Sequence, residues 1–80
     1  MIRVTVQLHG TLPRRVPAYD PERGLTISLA PGATVADLLD ALGLTAEDTG
    51  VVALDGRVAQ PADALSDGAR VRIFQVAHGG

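Results

Sequence analysis

Only one stretch of this sequence carries apolar residues at the spacing of a helix. Val35, Leu38, Leu39 and Leu42 fall at i, i+3, i+4 and i+7, one stripe, while Asp37, Asp40 and Ala41 look elsewhere. Thr34 stands just before the stripe, where its hydroxyl can accept an N3 amide; Asp37 suits the positive first turn, and Gly43 is a natural C′ residue. The other long apolar segments alternate in steps of two, the period of a strand with one buried face. One short helix can cover one face of one sheet. The chain is thereby held to a small α+β roll whose second sheet face has no helix over it.

Ile2, Val4, Val6 and Leu8 alternate with Arg3, Thr5, Gln7 and His9, which predicts a first strand over 2–9. Residues 10–24 hold Pro13, Pro17 and Pro21 among Arg14, Arg15, Asp20, Glu22 and Arg23, a composition that reads as a long loop. Leu25, Ile27 and Leu29 predict a second strand over 25–30, antiparallel to the first and ended by Pro31-Gly32. After the helix, residues 45–48 suit one more short turn, and the apolar run 51–54 closes at Asp55-Gly56, a dipeptide made for a tight hairpin, with Arg57 and Val58 starting the return. Residues 61–67 are turn-rich with Leu65 as an anchor, and 69–76 form the last strand. The expected core is Val4, Val6, Leu8, Leu25, Ile27, Leu29, Val35, Leu38, Leu39, Leu42, Val52, Leu54, Leu65, Val71 and Ile73. All of this fits a single domain over 1–80, with 77–80 as a flexible tail.

Composition closes off most chemistry. The chain has 80 residues and no Cys, which removes disulfides, thiolate catalysis and cysteine metal sites together. His9 and His78 lie at opposite ends and make no metal set, so no metal is expected; Asp37 and Asp40 read as capping and solvated-face residues. There is no nucleophile with a base beside it and no phosphate-cradling glycine loop, so the chain is not expected to be an enzyme. A net charge of −2 with one Phe and one Tyr argues against nucleic acid. The longest uncharged stretch, 24–36, contains Pro31 and Gly32 and is too short to span a membrane. The opening residues alternate like a strand and do not form a signal peptide, so cytoplasmic location is the expectation.

Two features remain. Strand alternation puts Phe74, with Arg70, Arg72 and Val76, opposite Val71 and Ile73, on the face that the helix does not cover. There it forms an apolar docking patch with Val51 or Ala53 across the sheet, rimmed by Arg70, Arg72 and Arg57, unless the 11–24 loop folds over it with Tyr19 as the covering residue. The second feature is the final Val76-Ala77-His78-Gly79-Gly80. Glycines without Cβ atoms can pass a channel too narrow for side chains and deliver a carboxylate to another protein's active site. That carboxylate, with an unperturbed pKa of roughly 3.3–3.7, is ionised near neutral pH and can attack the α-phosphate of ATP to give an acyl-adenylate. Two glycines alone are equally the mark of a frayed end.

Over nearly its whole length the sequence resembles the ubiquitin-like β-grasp sulfur carriers of the ThiS and MoaD family. The resemblance is carried by Leu29-Ala30-Pro31-Gly32-Ala33-Thr34-Val35-Ala36-Asp37-Leu38-Leu39, by Val52-Ala53-Leu54-Asp55-Gly56-Arg57-Val58, and most specifically by 65–80, where a turn, an alternating strand and Gly-Gly follow one another. It implies a β-grasp roll: a mixed sheet of four to five strands with one main helix on one face. It also implies that Gly80 is adenylated by a partner of the ubiquitin-activating type using ATP and Mg, and is then converted to a thiocarboxylate by a sulfur donor of the cysteine desulfurase or rhodanese type. A sulfur-accepting synthase of thiamine, molybdopterin or other metabolite biosynthesis would follow. On this reading Gly79 gives the tail access, the chain binds no cofactor, and it is a protein co-substrate or the small subunit of a synthase.

The sequence departs from the family in places. His78 stands where a small residue is common, and could contact the partner's channel or remain an exposed tail histidine. The 11–24 loop is longer than the tight first hairpin of the thiamine-pathway carriers, although Phe74-Gln75-Val76 leans toward them, and the Pro-Pro that commonly precedes the tail of molybdopterin-type carriers is absent. The pathway stays open. Two rivals stand beside the carrier: a modifier joined through Gly80 to lysines of other proteins, and a plain binding subunit using the Phe74 face. The chain has no Lys, so a modifier could not build chains on its own lysines.

Overall fold

The computed structural model describes residues 1–45, 47 and 49–75. Five strands form one sheet in the order β2-β1-β5-β3-β4: β1 (Ile2–Leu8), β2 (Leu25–Leu29), β3 (Thr49–Leu54), β4 (Arg57–Ala59) and β5 (Arg70–Gln75). One helix, α1 (Val35–Leu42), packs on one face through Val35, Leu38, Leu39 and Leu42. β1 and β5 run parallel at the centre while the other neighbours are antiparallel, so the chain between them has to cross the sheet, and α1 is part of that crossing. This is the ubiquitin-like β-grasp roll that the resemblance implies. Among the described residues no helix is long and apolar enough to cross a membrane.

Local chemistry sets the element ends. Thr34 and Asp37 form a full capping box: the Asp37 N–H donates to Thr34 Oγ1 at 3.3 Å and the Thr34 N–H to Asp37 Oδ2 at 2.9 Å. Gly43 closes the helix in the left-handed region at φ 74. Asp55 and Gly56, at φ 49 and 86, make the β3–β4 hairpin with both central residues at positive φ, as a two-residue turn of this hand demands.

Three strands are slightly shorter than expected, β1 stopping at Leu8, β2 at Leu29 and β5 starting at Arg70, while β3 is longer and begins at Thr49. The larger correction is the 10–24 segment. It carries a 3-10 turn, Leu12–Arg15, that buries Leu12 and brings Val16 into the core at an i+4 spacing. Pro13 has a fixed φ suited to the start of such a turn, so proline here shapes an ordered plug. Leu44, Ala69 and Thr49 are also buried and were not expected to be. Leu25, Ile27, Leu29 and Leu54 pack against the core but stay half-buried, since they lie toward the edges that one short helix reaches least.

Candidate functional site

The site is built on β5. Its start is fixed from both sides by carboxylates acting on backbone. The Arg3 N–H donates to Asp67 Oδ1 at 2.8 Å and the Gly68 N–H to the Arg3 carbonyl at 2.7 Å, which ties the entry of β5 to β1. On the other side the Arg70 N–H donates to Asp55 Oδ1 at 2.8 Å, and the Asp55 N–H to the Arg70 carbonyl at 2.8 Å. Charge-assisted bonds of this kind are about twice as strong as neutral ones, so β5 is held in register on two flanks.

Alternation along β5 does the rest. Val71 and Ile73 are buried under α1, while Arg70, Arg72 and Phe74 are exposed on the open face. The register sets Thr5 beside Arg70, and Gln7 and Ala53 on either side of Arg72. Ala53, Asp55, Gly56, Arg70, Arg72 and Phe74 line one shallow depression, an aromatic wall with two guanidinium groups beside it. Among the described residues neither guanidinium makes an ion pair or a hydrogen bond. Such a surface can seat an apolar side chain against the ring and carboxylates against the arginines.

Phe74 keeps 36% of its surface exposed, and the 11–24 segment does not cover it. Tyr19 goes elsewhere: beyond the last β1–β2 pair, Val6↔Leu25, the Leu8 N–H donates to its hydroxyl at 3.0 Å and the hydroxyl donates to the Leu8 carbonyl at 3.5 Å. One member of the expected rim, Arg57, is misplaced, and of the two alternatives across the sheet it is Ala53, not Val51, that joins Phe74. Arg57 pairs with Leu54, whose partner on β5 is the buried Val71, so Arg57 belongs to the opposite face. Val51 lies where the β3–β5 register shifts and lines a separate groove with Val35, Leu39 and Val58. Val76, His78, Gly79 and Gly80 lie outside the described residues.

Sequence reasoning missed the far end of β5. The His9 ring stacks on Phe74 with centroids 4.6 Å apart and planes within 9°, and His9 Nε2 is buried with no hydrogen-bond partner among the described residues. The Thr11 N–H donates to Gln75 Oε1 at 2.8 Å. The signal available was the alternation of both strands; what it lacked was the knowledge that β1 and β5 are parallel neighbours, which alone puts His9 next to Phe74. Among the described residues there is no cluster of three or more His, Asp or Glu side chains placed to hold a metal.

Comparison with known proteins agrees with the fold. The structure is similar to small archaeal modifier protein 1 of Haloferax volcanii, with a TM-score of 0.76 and 20% identity over 96% of this chain and 100% of that one. It is similar to a Pyrococcus furiosus protein assigned as molybdopterin converting factor, subunit 1, at TM-score 0.77 and 21% identity over 96% of this chain and 100% of that one. It is also similar to Urm1 of Trypanosoma brucei, at TM-score 0.61 and 18% identity over 98% of this chain and 95% of that one. At these identities the likeness is one of fold. No curated protein matches the chain. The family model of ThiS matches residues 16–80, from the buried Val16 through helix, hairpin and β5 to the two glycines, and the chain belongs to the ThiS family.

Proposed function

We propose that this chain is a sulfur carrier. The Gly80 carboxylate attacks the α-phosphate of ATP in the active site of a ubiquitin-activating-type adenylyltransferase, releasing pyrophosphate; the terminal sulfur of the donor's persulfide then attacks the acyl carbon, AMP leaves with one carboxylate oxygen, and a second thiol of the sulfur-donor system cleaves the resulting acyl disulfide, itself ending in a disulfide, to free the thiocarboxylate. The resulting thiocarboxylate delivers sulfur to a synthase of thiamine, molybdopterin or another metabolite. ATP and Mg belong to the partner, Gly79 keeps the tail narrow, and Phe74 with Arg70 and Arg72 docks it, Val76 and His78 lying next along the chain. The observation that carries this reading is the ThiS match running through Gly80 on a chain whose β5, the strand leading to it, is anchored on both flanks.

Incubation with the activating enzyme, ATP and a sulfide source should replace one oxygen by one sulfur at Gly80, read by mass spectrometry. An unchanged mass with an active enzyme refutes the proposal. A protein modifier is the second reading, favoured by the likeness to the archaeal modifier protein; isopeptides from Gly80 to lysines of cellular proteins would mark it. A binding subunit that uses only the Phe74 face would keep its function after deletion of Gly79 and Gly80, whereas the other two would lose theirs.

A further inference from the structure

Gln75 closes β5, and from it the chain continues toward Gly79 and Gly80. Its side chain turns back to accept the Thr11 N–H at 2.8 Å, a contact between residues 64 apart in sequence. Gly10, at φ 70, makes room for it: a Cβ there would sit 2.5 Å from Gln75 Oε1 and 2.9 Å from Gln75 Cβ. Two residues earlier on both sides, the His9 N–H donates to the Ile73 carbonyl at 3.0 Å, and the His9 ring lies flat on Phe74. Contact between the β1 and β5 ends thus continues for three residues past the last ladder pair, Leu8↔Ile73.

Fold stability is a weak reason for this arrangement. Gln75 is exposed, and water would satisfy its amide if the side chain swung free. Among the described residues His9 holds Nε2 buried without a partner, a cost that an all-carbon ring in the same stack would not carry. What the contacts do secure is the end of β5 itself, the point from which the chain runs on to Gly80. A shift of that end shifts the base from which Gly80 is presented. A misplacement of about 1 Å at a reacting group can cost up to ~100-fold in rate.

We infer that Gln75 is a positioning residue: with the His9–Phe74 stack it holds in place the end of β5 from which the chain runs on to Gly80. This rests on the carrier reading above. The latch needs only an acceptor at position 75, so Gln75→Glu keeps it and Gln75→Leu removes it. With the full chain, its activating enzyme and ATP, Gln75→Leu should lower kcat for pyrophosphate release about tenfold with KM for the carrier within about twofold, and Gln75→Glu should restore kcat. In the free protein, the backbone amide order parameter at position 75 should fall in Gln75→Leu and recover in Gln75→Glu. The inference is overturned if Gln75→Leu turns over like wild type, if Gln75→Glu is as impaired as Gln75→Leu, or if the loss lies in KM alone. If the wild-type chain itself is not adenylated, it is the carrier reading that fails, and the order parameters at position 75 still decide whether the latch exists.

Discussion

The two faces of β5 are made by the same six residues and are held to different standards. Val71 and Ile73 are 1% and 0% exposed, locked between α1 and the neighbouring strands. Arg70, Arg72 and Phe74 point the other way and touch little of the fold: a stack on His9, a shallow depression, no ion pair among the described residues. The covered face is determined by what folding requires, because a change of one methylene in a close-packed core is felt. The open face is nearly unconstrained by folding. An aromatic ring and two arginines that the fold itself leaves largely unused point to recognition as what holds them there.

Substitutions on the two faces should separate these roles. The largest effect is expected from Ile73→Ala, which leaves a cavity beneath the helix and should destabilise the domain by about 2–5 kcal/mol in urea unfolding. Docking to the activating enzyme should then weaken only as far as the folded fraction falls. Phe74→Ala should reverse the pattern: a stability loss of about 0.5–1.5 kcal/mol from the lost stack, but at least about a tenfold loss of partner affinity by calorimetry. If Phe74→Ala binds the partner like wild type, the open face is not the docking surface. Arg72→Glu should leave unfolding within about 0.5 kcal/mol of wild type while slowing association roughly tenfold at low salt, an effect that fades as salt is raised. The smallest effect is expected from His9→Phe, which keeps the stack and removes the buried unpartnered nitrogen; it should raise stability by about 1 kcal/mol, seen as a higher unfolding midpoint. A lower midpoint would mean that Nε2 is satisfied in solution.

Much of the covered face was legible because its signals are local. The i, i+3, i+4, i+7 stripe, the Thr34–Asp37 box, the Asp55-Gly56 turn and the alternation of β1, β2 and β5 each lie within a few residues, and each element formed where its own periodicity placed it. Leu12 and Val16 were hidden by their prolines: a segment with three prolines reads as loop, and two apolar residues four apart are too few to mark a core stripe there. Arg57 and Val51 were misassigned because facing across a hairpin depends on register, and the shift between Thr49 and Val52 is visible only in the folded sheet. The Gln75 latch and the His9 stack join residues about 64 apart in the chain, a separation that no local pattern can report.

The pairing of β1 with β5 also has a consequence for how the domain is made. Thr5 lies beside Arg70 and Leu8 beside Ile73, so the two central strands are the first and the last of the roll. During synthesis β1 waits, with its inner side chains unburied, until β5 leaves the ribosome; contacts of such long sequence separation also slow folding once the chain is free. A chain broken anywhere before Arg70 has no centre to its sheet. Completion of the core therefore waits for nearly the whole chain: until β5 is made, the sheet has no strand to join β1 and β2 to β3 and β4.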